Sequence, residues 1–137
     1  MSLTRRQFVT AISGIAGVWV GAHRGASAAA WRRGGDAPTR RSEVAAAVLG
    51  GKIYIVGGFG GGTGGLVEAY DPATDRWERR AALPVALHHT AAVGLENRLF
   101  VVGGYRDGWT AEASVFVYDP APDRWQARRP MPTARGA

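Results

Sequence analysis

From residue 44 onward, short apolar runs alternate with glycine, proline and aspartate. Residues 44–49 form the first run. Gly50 and Gly51 tolerate positive φ and predict a two-residue hairpin turn. The β-branched and aromatic residues of 52–56 predict the returning strand, which stops at Gly57-Gly58. A glycine-rich loop leads to a third strand at 66–70. Asp71-Pro72-Ala73-Thr74 then reads as a turn, because aspartate bonds its own backbone and proline fixes φ. A fourth strand at 76–79 is centred on Trp77. The same succession predicts strands at 90–94, 98–102, 113–118 and 124–127, with Glu96-Asn97 as the second hairpin turn.

The two successions are copies of one unit. Ile53-Tyr54-Ile55-Val56-Gly57-Gly58 corresponds to Leu99-Phe100-Val101-Val102-Gly103-Gly104, at a period of 46 to 48 residues. Tyr70 precedes Trp77 by seven residues, as Tyr118 precedes Trp125. Trp77 precedes Pro84 by seven, as Trp125 precedes Pro132. Only the interval from diglycine to tyrosine differs, being two residues longer in the second copy. The added length therefore belongs to a loop, where insertion is best tolerated. A fixed period of this size marks a repeat architecture.

Diglycine after an apolar strand, then tyrosine, then tryptophan seven residues on, in a unit near fifty residues, resembles the kelch repeat. The resemblance covers residues 39–132 and implies an all-β fold, with two four-stranded antiparallel blades of an incomplete β-propeller. Repeat 1 spans 38–84 and repeat 2 spans 85–132. In this reading Gly57, Gly58, Gly103 and Gly104 turn the backbone sharply at the end of an inner strand. Tyr70, Trp77, Tyr118 and Trp125 supply the bulk that packs one blade on the next. Residues 133–137 align with the start of each repeat and read as the beginning of a third. Closed propellers use about four to eight blades, so a truncated or partial chain is expected. The rival expectation is a short protein that completes a ring by self-association.

The first 28 residues read as an address. Thr4-Arg5-Arg6-Gln7-Phe8-Val9 has the twin-arginine pattern, a short glycine-interrupted apolar run follows, and Ala26-Ser27-Ala28 is a small-x-small peptidase site. The stretch resembles a bacterial twin-arginine (Tat) signal peptide, with Arg5, Arg6 and Phe8 as the export signal and Ala26 and Ala28 as the cleavage signal. It implies a signal-peptide helix, the Tat translocase as a transient partner, a periplasmic or secreted product, and no stable membrane span after cleavage. Residues 29–37 form a linker. Loss of Arg5, Arg6 and Arg24 would lower the formal net charge of +6 by three. The remaining charge is spread over many turns and indicates no nucleic-acid partner. The chain has no cysteine, hence no disulfide framework.

Candidate chemistry is sparse. Gly60, Gly62 and Gly65 formally make G-x-G-x-x-G after a strand, but a dinucleotide fingerprint requires a helix next, and residues 66–70 read as strand. His88 and His89 are neighbours, and neighbours on a strand face opposite sides, so one metal held by both requires a bend. They stand at the start of a repeat, near the channel that the resemblance implies, and are candidate ligand contacts. Arg41 and Arg135 share one repeat position, filled by Leu87 in the second copy. The resemblance implies that Arg41 faces the channel and contacts an anionic ligand. Asp71 and Asp119 each precede proline in equivalent turns, which accounts for them without catalysis. No catalytic, metal or cofactor residue is expected.

Two function classes follow. One is a binding module of the cell envelope with an unknown ligand or protein partner. The other is a fragment of an exported propeller enzyme, galactose-oxidase-like or sialic-acid-mutarotase-like. The former enzyme needs a cysteine cross-linked to a tyrosine, and two blades cannot complete the site of the latter. Binding is the expected function.

Overall fold

In the computed structural model, residues 31–136 are described. The expected signal helix and its residues Arg5, Arg6, Phe8, Ala26 and Ala28 lie outside them. The chain divides into units of 1–33 and 34–137, and the second carries both repeats.

Repeat 1 is a four-stranded antiparallel sheet of β1 (Ala45–Leu49), β2 (Lys52–Val56), β3 (Val67–Asp71) and β4 (Arg76–Arg80), paired in sequence order. Repeat 2 uses β5 (Ala91–Leu95), β6 (Arg98–Val102), β9 (Val115–Asp119) and β10 (Arg124–Ala127) in the same antiparallel arrangement. All eight expected strands form, three with the expected bounds and the others with ends shifted by at most two residues. The extra length of the second copy becomes a hairpin, β7 (Tyr105–Arg106) with β8 (Thr110–Ala111), which the sequence reading left as loop.

The period-2 alternation of a strand sets one face of each sheet inward. Along β1, Ala45, Ala47 and Leu49 are buried, while Ala46 and Val48 are exposed. Across the sheet, Tyr54, Val56, Val67 and Ala69 continue the buried face. From repeat 2 come Leu99, Val101, Phe116 and Tyr118, with Leu83 and Leu87 from the connection between the sheets. Tyr54 and Tyr118 meet edge to face at 5.9 Å between ring centroids. The core is thus shared between the repeats, and neither sheet buries this face alone. Gly94 of β5 lies so close to β1 that a Cβ there would strike the Val48 carbonyl oxygen. Glycine at that position sets how closely the sheets approach.

Successive repeats are stitched by equivalent main-chain bonds. Gly58 N–H donates to the Leu87 carbonyl at 3.0 Å, and Gly104 N–H to the Arg135 carbonyl at 2.9 Å. In return Leu87 N–H reaches Gly64 and Arg135 N–H reaches Glu112. Gly57 and Gly103 take φ of 65° and 62°, and a Cβ on either would run into the carbonyl of Leu87 or Arg135 respectively. Close backbone approach at positive φ explains why glycine is needed at both positions.

Each outer strand is fixed by a tyrosine–aspartate–tryptophan set. Tyr118 is fully buried, donates its hydroxyl to Asp123 at 2.5 Å, and has its ring 4.9 Å from that of Trp125. Trp125 Nε1 donates to the Ala81 carbonyl at 2.8 Å. In repeat 1, Tyr70 donates to Asp75 at 2.6 Å and Trp77 Nε1 donates to Gly35 at 2.9 Å. Trp125 packs on the shared core. Trp77 is half-buried beside Tyr70, their centroids 5.0 Å apart.

Candidate functional site

At one end of the two sheets, the loops after β2 and β6 meet the segments that lead into β1 and β5. The opposite end carries only tight turns, at Gly50-Gly51, 72–75, Glu96-Asn97 and 120–123. Asp71 and Asp119 sit in those turns and accept the main-chain N–H two residues on, from Ala73 and Ala121. They act as turn residues, as their place before proline implies.

His88 and His89 lie at the loop-bearing end. His88 is held in the sheet framework by two main-chain bonds with Tyr105. His89 takes φ of 48°, as the equivalent Glu43 takes 52°. This left-handed residue breaks the strand alternation. The expectation that the two rings face opposite sides is therefore corrected: their Nδ1 atoms lie 2.7 Å apart. His89 Nε2 is 3.0 Å from the Glu43 carboxylate. A carboxylate, an imidazole and a second imidazole thus form one line. Two nitrogens in such contact share a single proton. Among the described residues, no group of three or more histidine, cysteine or acidic side chains is placed to hold a metal.

Four rings surround His88, which is 2% exposed. Phe59, His89 and Trp109 have centroids 5.1, 5.0 and 5.0 Å away, and Tyr105 stacks at 6.0 Å. Phe59 and Trp109 are 47% and 60% exposed. Their rings are 6.5 Å apart, tilted by 33°, and each is nearly perpendicular to His88. The histidine is the floor of a shallow notch with two exposed aromatic walls. Its Nε2 is buried and has no hydrogen-bond partner. Beside the notch runs a cleft of about 250 Å³, lined by Gly58 to Gly62, Gly64, Ala86 and Asp107. A second depression of about 410 Å³, lined by Pro84, Val85, Ala86, Arg106 and Asp107, adjoins it. Arg106 is engaged by Glu112.

The formal glycine motif lies on this cleft. One 3-10 turn (Thr63–Gly65) precedes β3, so no helix N-terminus is offered to a phosphate. Side chains added at Gly60, Gly61 or Gly62 would meet nothing within 4 Å.

Arg41 stands apart from this cluster. Its guanidinium is buried and bonds Glu68 at 2.6 Å and the Ile55 carbonyl at 3.2 Å. Thr39 donates to the other Glu68 oxygen at 2.8 Å. The geometry gives Arg41 a closed structural ion pair. Leu87 and Phe116 hold the equivalent positions in repeat 2, both buried.

Phe59, Tyr105, Trp109 and Glu43 were not singled out from the sequence. Phe59 and Tyr105 each follow a diglycine, and that shared aromatic was a usable signal. Trp109 lies in the second-copy insertion and has no counterpart.

The family model described as Kelch motif matches residues 40–84 and again 86–132, together more than half of the chain. No curated protein matches it.

Proposed function

The chain belongs to the kelch-repeat family, and from that premise we propose that it is an exported binding module whose partner is a protein of the cell envelope. Kelch repeats are generally protein-binding modules. One observation carries the reading to a place: the aromatic notch of Phe59, His88 and Trp109 opens beside the cleft at the loop-bearing end. Tryptophan and other aromatic residues are enriched at protein interfaces and among their hot spots. The all-β scaffold holds both walls by main-chain bonds, so little ordering is lost on binding. Export rests on Arg5, Arg6 and Phe8, with cleavage after Ala28, through the Tat translocase.

Placing a photo-crosslinking residue at position 109 in the full chain, inside cells, tests the reading. The expected result is a discrete adduct with an envelope protein, absent when the crosslinker stands at Asn97 on the opposite end. Adducts at 97 and none at 109 would overturn it. Export is checked separately: Arg5→Lys with Arg6→Lys in a Tat-dependent reporter fusion should abolish transport, and continued transport would refute the address.

A further inference from the structure

We propose that the notch formed by Phe59, His88 and Trp109 recognises an arginine side chain of the partner, its guanidinium inserted between the two exposed rings above His88. The inference rests on the binding reading and names the chemistry of its central contact.

Three features converge on a planar cation. The first is the walls. The ring centroids of Phe59 and Trp109 lie 6.5 Å apart at a tilt of 33°, and both rings are largely exposed. Their faces carry the negative end of the aromatic quadrupole, which attracts guanidinium more effectively than a neutral group. The second is the floor. Glu43 lies against His89 Nε2, so that nitrogen carries a proton and donates to the carboxylate. The Nδ1 atoms of His89 and His88 meet at 2.7 Å, and His88 Nε2 is buried without a partner, so the floor carries a polar atom that the fold leaves unpaired. The third is charge. Among the described residues no hydrogen bond or ion pair involves Asp107, which lines both depressions beside the notch. Glu43 is half exposed at the other side. Arg106 is the nearby opposing charge, and Glu112 engages it.

Arginine fits these features better than lysine does. Its flat guanidinium can lie against an aromatic face while its five donors reach a carboxylate beside it. Trp109 sits in the turn between β7 and β8 with φ of 63°, its N–H held by the Arg106 carbonyl.

The probe is the blocked tripeptide Gly-Arg-Gly, titrated into the full chain by calorimetry. Its citrulline analogue has the same shape without the charge, and Gly-Glu-Gly is the acidic control. Saturable binding of the arginine peptide at millimolar concentration is expected, with citrulline at least tenfold weaker and the glutamate peptide silent. Trp109→Ala should weaken binding about tenfold, and Asp107→Asn about threefold. His88→Phe keeps the aromatic floor but removes its unpaired nitrogen, and should also weaken binding several-fold. Trp109 and Asp107 are exposed on a hairpin, so those variants test the contact even where the floor variant misfolds. Equal affinity for arginine and citrulline, or no loss in Trp109→Ala, would overturn the proposal. A crosslinked partner at position 109 together with no arginine binding would leave the binding reading intact and refute this one alone.

Discussion

The Tyr118 hydroxyl donates to the Asp123 carboxylate at 2.5 Å, across the turn that joins the two outer strands of repeat 2. The same oxygen also accepts the Ala81 N–H at 3.0 Å, so one carboxylate ties the second sheet to the strand that leaves the first. Tyr118 first, then the Ala81 amide, hold Asp123 below the usual carboxylate range. Burial first, then Asp123, push the Tyr118 hydroxyl above the ordinary tyrosine range.

These shifts predict a pH dependence with a definite sign. A carboxylate depressed in the fold contributes stability at pH above its unfolded value of about 3.9 and loses it as pH falls through the folded value. Asp123→Asn should therefore lower stability near neutral pH by about 1 kcal/mol, since the carboxylate is largely exposed and screened. The difference from the native chain should shrink as pH falls below the unfolded carboxylate value of about 3.9 and protonation reaches the folded state. A raised tyrosine gives the opposite limb: stability is full below about pH 10 and declines above it, because unfolding releases the proton. Chemical denaturation from pH 2 to 11 measures both limbs. A constant difference at every pH would refute the assignment.

The pair Arg41 and Glu68 predicts non-additive mutations. Removing one partner of a buried ion pair strands the other and costs about 3–5 kcal/mol. Arg41→Leu and Glu68→Phe should each be strongly destabilising. Together they install the residues that repeat 2 uses, Leu87 and Phe116, and the double variant should lie within about 1 kcal/mol of the native chain. Additive losses in a double-mutant cycle would show that repeat equivalence does not extend to packing.

Gly57→Ala and Gly103→Ala place a Cβ at positive φ against a neighbouring carbonyl oxygen. Each should cost more than about 2 kcal/mol, beyond the ordinary penalty for a left-handed alanine. Gly61→Ala, with a φ of 52° but open space around it, should cost only that ordinary penalty. Thermal melts of the three variants separate crowding from conformational preference.

Trp125→Ala should cost about 3 kcal/mol, from lost packing against the core and the lost bond to Ala81. Trp125→Phe keeps most of the packing and should cost about 1 kcal/mol. Neither should change arginine-peptide binding, whereas Trp109→Ala should change binding and leave the melt nearly unmoved. The exchange of these two phenotypes would mean that structural and contact tryptophans had been confused.

The sequence by itself determined the repeat and the eight long strands. Those features follow from local rules: apolar runs, turn residues, and fixed offsets such as Tyr118 to Trp125, all visible within a few residues of one another. The notch was decided by tertiary structure. Nothing local in His88-His89 announces that a positive φ at His89 will accompany contact between the two rings. Glu43 reaches His89, and Arg41 reaches Glu68, across 46 and 27 residues respectively. Only the stacking of one repeat on the next brings Phe59 against Trp109. Trp109 lies in an insertion with no counterpart in the first copy, so the periodicity that revealed the scaffold was blind to its exposed wall. Repetition encodes what every repeat must do to pack. The site arises where the two copies differ, and there the contacts are set by which loops the packing makes neighbours.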